Sequence, residues 1–287
     1  MTSNVRTSYI IKTKIQKNLS RWLTYLILTI GAIVVIYPFF YMVMNSFKPG
    51  PEIAHDPLSL PSTWIVRGYV TVWKTLNVVR LYGNTIIVAG SVTLLNLFFG
   101  SMAAYALAKL HFPGRDTLFK VMLGTMMIPN ILFLIPTYMI IYRLGWVGHF
   151  RALIIPGAIG VYNIFMMKQF MQKIPDEIID CARIDGCGDL GIYLRIILPL
   201  ARPVLITVAI LTFMGAWNNF FGALLYLQDN PDKWTLQLGL YHFRTGIPTE
   251  NAEQIWAATT GISAPLILLY FILQKQFMKA FAEMNLK

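Results

Sequence analysis

The chain has 287 residues, 56% of them hydrophobic and only 13% charged, with a mean hydropathy of +0.58. A soluble domain carries about 25% charged residues, so this composition excludes an ordinary water-soluble fold and points to membrane spans. The net charge of +11 does not indicate nucleic acid, because the basic residues punctuate long apolar runs and form no basic face.

In chain order, residues 1–21 form a basic segment with Arg6, Lys12, Lys14, Lys17 and Arg21 and no acid. Six stretches without Asp, Glu, Lys or Arg follow: Trp22–Phe47, Tyr82–Ala108, Val121–Tyr142, Ala152–Met167, Pro203–Gln228 and Ile255–Gln274. A helix that spans a bilayer needs about 20 mostly apolar residues; all but the fourth stretch are comfortably long, and the fourth contains Pro156. The first stretch is too long for a signal-peptide core, and Asn45-Ser46-Phe47-Lys48-Pro49 lacks a small-residue cleavage pattern, so it is read as a retained span. The expected fold is all-α, a polytopic membrane protein with six transmembrane helices across residues 22–280 and a tail at residues 281–287. With the N-terminus in the cytosol, the inside segments hold 16 of the 24 Lys and Arg residues. The positive-inside rule therefore puts both termini in the cytosol.

Within the spans, Gly100, Ala104 and Ala108 recur every four residues and predict close approach of a neighbouring helix of the same chain. Pro129, Pro136 and Pro265 predict kinks or helix ends. The spans offer neutral hydrogen-bonding and aromatic groups: Asn130, Tyr138, Tyr162, Asn163, Trp217, Asn218 and Asn219. Such groups suit a neutral, polyhydroxylated solute, and equally suit hydrogen bonds between helices. The spans hold no ionisable carboxylate or base of the kind that marks an ion-coupled carrier. No G-x-x-x-x-G-K-[ST] phosphate loop occurs either, so energy for active transport has to come from another chain. Cys181 and Cys187 would lie about 240° apart on a helix and are read as reduced residues. His55, His111, His149 and His242 have no metal-ligand spacing.

The loop between the fourth and fifth spans, residues 175–203, has a structure of its own. Pro175, Asp176 and Glu177 suit a helix start. Ile178, Cys181 and Ala182 form a small apolar stripe, and Asp180 can pair with Arg183 at i,i+3. Gly186 suits a left-handed stop. Asp189 is expected to cap a second helix, Leu190–Leu198, that ends before Pro199. The acids Asp176, Glu177, Asp180, Asp185 and Asp189 could imitate the carboxylate site of a membrane enzyme; on so short a helix pair they are read as docking and solvated charges.

The run Asp180-Cys181-Ala182-Arg183-Ile184-Asp185-Gly186, followed by Ile197, Pro199 and Pro203, resembles the EAA loop of ABC-importer permeases, with Asp180 in place of Glu and Cys181 in place of the first Ala. Tyr37-Pro38, Asn45–Pro49, Asn84, Ala103–Ala108, Phe112-Pro113-Gly114-Arg115, Ile128-Pro129, Ile135-Pro136 and Trp217-Asn218-Asn219-Phe220 extend the resemblance to the maltose-transporter-type carbohydrate permeases. The resemblance implies a type I importer permease of the bacterial plasma (inner) membrane. It implies that Asp180, Ala182, Asp185, Gly186 and Pro199 belong to a coupling helix docked in a cytosolic ATPase. It further implies a second related permease, two ATPase subunits that use ATP and Mg, and an extracytoplasmic solute-binding protein that delivers a sugar to the outward segments Lys48–Leu81 and Asp229–Gln254. No cofactor is expected on this chain itself.

Overall fold

In hydrocarbon a chain must satisfy its backbone N–H and C=O groups internally, and a helix does so within one segment. The computed structural model describes residues 2–248 and 251–285, and no β-strand occurs among them. Met1, residues 249–250 of the predicted outward segment and residues 286–287 of the predicted tail lie outside the described residues. The chain divides into two compact units, one of Met1–Val72 with Ile247–Gly261 and one of Trp73–Gly246 with Ile262–Lys287.

In the first unit, α1 (Thr2–Asn45) starts well before the predicted span. No glycine or proline interrupts residues 2–30, so the basic segment continues as helix into the apolar one. The stretch Arg21–Asn45 has a hydropathy of 2.3 and is only 6% buried. Apolar side chains such as Trp22, Leu26, Ile33 and Phe40 are exposed, an arrangement suited to lipid and not to water. Beyond α1 the chain is held by Lys48, whose side chain is wholly buried. A buried ammonium needs partners, and Lys48 Nζ donates to the Asp56 carbonyl, to the Ser59 carbonyl at 3.0 Å and to Ser59 Oγ at 2.8 Å. This closes a loop over α2 (Gly50–His55), and Glu52 accepts from the Ser62 amide at 3.0 Å. Gly68, in α3 (Arg67–Thr75), lies so close to the helix beginning at Ala252 that a Cβ would meet the Glu253 carbonyl oxygen at 2.8 Å.

The second unit is built around α4 (Val78–Lys109), a 32-residue helix without proline. Next come α5 (Arg115–Met126), a 3-10 turn at Asn130–Phe133 and α6 (Leu134–Arg143). The stretch predicted as one third span is a helix pair bent by 93°. Pro129 has no amide to donate and disfavours helical geometry at Ile128 before it, so the helix ends there. Pro136 falls in the first turn of α6, where its missing amide costs nothing. The predicted fourth span comprises α7 (Arg151–Gly157), residues 158–160 and α8 (Val161–Met171), a stretch of 21 residues. It is thus longer than the stretch Ala152–Met167 expected from apolarity, because Arg151 and Lys168 belong to its helical ends.

The predicted Gly100/Ala104 stripe does pack within the chain. A Cβ on Gly100 would meet the Met167 methyl at 2.8 Å, and Ala104 is fully buried. Among the described residues three helices are long and apolar enough to cross a bilayer, or up to five spans if each bent pair is one. The sixth predicted span falls in the helix Ala252–Asn285, in which Pro265 is an interior residue; its side chains at 269, 272, 273 and from 275 onward lie outside the described residues.

Replacing the buried cation by an apolar chain of similar length, Lys48→Met, removes charge-assisted hydrogen bonds worth about 2 kcal/mol. Limited proteolysis should then cut residues 56–62 in the variant and spare them in the wild type. Equal resistance would show that the ammonium does not hold the loop.

Candidate functional site

The loop after the fourth span is a helix–turn–helix. It comprises α9 (Asp176–Ile184), α10 (Asp189–Ile192), a π-helical stretch at Tyr193–Ile197 and α11 (Leu198–Leu200), with α12 (Arg202–Trp217) following after Ala201. Pro175 precedes α9 as its N-cap, with Asp176 and Glu177 in the first turn, where carboxylates favour the helix dipole. The buried side of α9 is Ile179 and Ala182, whereas Ile178 and Cys181 are exposed. The apolar stripe expected from Ile178, Cys181 and Ala182 is therefore displaced by one residue, because α9 meets the core on its Ile179 side.

Gly186 has φ +82°. Its amide donates to the Arg183 carbonyl at 3.0 Å and the Cys187 amide to the Ala182 carbonyl at 2.9 Å, the paired bonds of a Schellman stop. Arg183 joins the two helices across this turn: its Nη2 donates to Asp189 Oδ1 at 3.2 Å, while Asp180 lies at 3.9 Å. The predicted Asp180–Arg183 pair is thus the longer of two. Asp189 does not cap the second helix; Gly188 holds the N-cap position with no side-chain bond, and the Asp189 carboxylate is turned to Arg183. Nor does the helix end before Pro199. It continues to Leu200, and the wide π turn preceding Pro199 relieves the clash of its ring with the carbonyl four residues earlier.

Asp180, Asp185 and Gly186 are all exposed, and Asp185 is the C-cap residue of α9. Beside them Ile184 is 86% exposed and Leu190 64%. Ala182 instead faces the core, together with Ile192, Ile197 and residues of α4 and α8. Lys109, the last residue of α4, is a contact that sequence reasoning missed. Its buried Nζ donates to the Ile174 carbonyl and, at 2.6 Å, to Asp176 Oδ1. Only its position at the end of an apolar run marked it, since its partners lie more than sixty residues away. That hydrogen bond and charge hold the Asp176 carboxyl below its usual range. A depressed carboxyl contributes its stability above the ordinary carboxylate pKa and loses it as pH falls through the depressed value. The contact is therefore complete at neutral pH.

The predicted solute-contacting residues are distributed along the second unit. Asn130 is exposed at the bend between α5 and α6. Tyr138 stacks on Tyr226 with ring centroids 6.0 Å apart, and Tyr162 is exposed. Asn163 of α8 donates to Asn96 Oδ1 of α4 and Thr212 Oγ1 of α12, both at 2.9 Å. Trp217, Asn218 and Asn219 are brought together where α12 ends and α13 (Phe220–Leu227) begins. Trp217 is buried among Tyr82, Phe213 and Leu236, and its indole N–H has no partner among the described residues. Asn218 donates to the Met214 carbonyl, and Asn219 caps α13 by accepting from the Gly222 amide at 3.0 Å.

Residues 96–282 match the family described as "Binding-protein-dependent transport system inner membrane component". The chain is 34% identical to Protein LplC of Bacillus subtilis (strain 168), over 87% of this chain and 88% of that one. It is 30% identical to the diacetylchitobiose uptake system permease protein NgcG of Streptomyces coelicolor, over 88% and 85%. Among solved structures, a chain of a bacterial ABC transporter involved in the import of the acidic polysaccharide alginate superposes with a TM-score of 0.78 at 25% identity. That match covers 88% of this chain and 94% of that chain.

A glycine at φ +82° whose Cβ position is open isolates the backbone cost of the turn. Gly186→Ala should cost about 1–2 kcal/mol, read as roughly five- to thirtyfold faster hydrogen exchange at the Cys187 amide. Gly186→Asn, which tolerates this region, should change it less. Unchanged exchange in the alanine variant would show that the stop does not depend on the glycine.

Proposed function

This chain belongs to the family of binding-protein-dependent transport system inner membrane components, and from that premise we propose that it forms half of the translocation path of an ATP-driven carbohydrate importer. As a permease subunit of an ABC importer it is not itself an enzyme. The observation that carries the coupling role is the segment at residues 176–200: a rigid, Schellman-closed helix pair whose outer face mixes exposed Ile184 and Leu190 with Asp180 and Asp185. An apolar patch ringed by charge suits docking into a protein cleft. ATP and Mg are used by two ATPase subunits that receive this segment, and a second related permease completes the path.

Positive-inside asymmetry supports cytosolic termini and places residues 176–200 on the cytosolic face. The domain reading follows: a basic segment at 1–21 whose helix runs on into the first of six spans, a permease domain at 22–280 with the coupling loop at 175–203, and a tail at 281–287. A solute-binding protein delivers the substrate to the outward side. The oligosaccharide named for NgcG supports a carbohydrate, and the uncharged spans suit a neutral oligosaccharide or glycoside, for which Asn130, Tyr138, Asn163, Trp217, Asn218 and Asn219 are the proposed contacts.

Reconstituted with its partner chains, the protein should take up a member of a neutral oligosaccharide panel, diacetylchitobiose included, at the expense of ATP. Gly186→Asp should abolish both uptake and substrate-stimulated ATP hydrolysis while membrane insertion stays intact. Normal stimulation in that variant would sink the coupling assignment, and uptake of charged amino acids alone would sink the carbohydrate one.

Cys181 is exposed and Cys187 only partly so. An impermeant maleimide applied from the cytosolic side should therefore label Cys181 first. Labelling only from the opposite side would reverse the orientation.

A further inference from the structure

The coupling segment is joined covalently to α8 and α12, and by that route its displacement reaches the fourth and fifth spans. Side-chain contacts add a third element. At the entrance of the segment, Lys109 of α4 donates to the Ile174 carbonyl and to Asp176 at 2.6 Å. At its exit, in the π-helical stretch, Tyr193 is buried; its hydroxyl shares a hydrogen bond of 2.7 Å with Ser101 Oγ, and its ring lies 5.4 Å from that of Tyr105. Ser101, Tyr105 and Lys109 follow one another at intervals of four, so they form one stripe on α4. The segment is thus fastened at both ends to a single face of a helix that it does not touch in sequence.

The other end of α4 is fastened as well. Asn84 Nδ2 donates to the Asp232 carbonyl at 2.9 Å and to the Trp234 carbonyl at 2.8 Å, and Thr85 Oγ1 accepts from the Leu236 amide at 2.8 Å. From Asn84 to Lys109 a helix rises about 37 Å, more than the roughly 30 Å of hydrocarbon. α4 is continuous and free of proline, whereas the predicted third span is a pair of helices bent by 93°, residues 158–160 interrupt the fourth and α12 stops at Trp217. A continuous helix transmits a displacement that a broken one absorbs.

We propose that α4 is the connecting rod of the transporter, with Lys109 and Tyr193 as positioning residues that fix the coupling segment to one end and Asn84 and Thr85 fixing residues 232–236 to the other. Motion imposed on the coupling segment reaches the opposite membrane face along α4. The proposal rests on the permease reading above.

The test uses the complete reconstituted complex with Mg-ATP and the binding protein loaded with whichever oligosaccharide of the panel it binds. Lys109→Met should cut substrate-stimulated hydrolysis about tenfold, with basal hydrolysis and co-purification of the ATPase unchanged; Lys109→Arg should retain most of the stimulation. Asn84→Leu, at the far end, should cause a loss of similar size. Because both variants break one rod, the double variant should lose no more than the worse single one. Full stimulation in Lys109→Met, or losses that multiply in the double variant, would overturn the proposal. If Lys109→Met yields no complex, Asp176→Asn and Tyr193→Phe decide: a several-fold loss in each supports the rod, and normal stimulation in both refutes it. A wild-type complex without stimulated hydrolysis would instead fail the permease reading itself.

Discussion

In a bilayer, apolar side chains gain nothing by leaving lipid for another helix, so helices associate through close packing and through hydrogen bonds between them. In the second unit both converge on α4. Gly100 lets Met167 of α8 approach, Ala104 is fully covered, and a Cβ on Gly157 of α7 would meet Val92 at 3.1 Å. On the same helix Asn96 accepts from Asn163 of α8, whose amide also donates to Thr212 of α12, so one partly buried amide joins the three helices. α7, α8, α12 and α14 (Leu236–Thr245) all pack against α4.

The remaining spans of the unit contrast with it. The chain breaks at Pro129, at residues 158–160 and at Asn218-Asn219, and each break leaves backbone groups to satisfy. Asn219 supplies a cap for α13, and a 3-10 turn fills the gap after Pro129. Irregular backbone at membrane depth is tolerated where it is buried in protein or lines a water-filled cavity. A continuous helix therefore stands beside interrupted ones.

The helix pair at residues 176–200 is stiff for different reasons. The stop at Gly186 closes two backbone bonds, Arg183 links the carboxylate of one helix to that of the next, and Ile179, Ala182, Ile192 and Ile197 enter the same core as Met167 and Val208. Its inward face is thereby used up by its own fold. What remains outside is Ile184, Leu190, Asp180 and Asp185, a surface whose apolar members are costly in water and have no work to do inside this chain.

Several features were legible in the residues alone. Uncharged runs marked a chain of several apolar helices, glycine at 186 marked the left-handed stop, proline at 129 marked a break, and the spacing Asp180 to Pro203 identified the family. These are properties of local backbone chemistry and of the length an apolar run needs to cross a bilayer. Other features were decided by partners distant in sequence. The side of α9 that is buried, the turn of Asp189 towards Arg183, the engagement of Asn163 with Asn96 and Thr212, and the grip of Lys109 on Asp176 all depend on which helix lies alongside. A hydrogen bond needs its acceptor within about 3 Å, and only the packing of α4 against the loop and its neighbouring spans brings those acceptors that near.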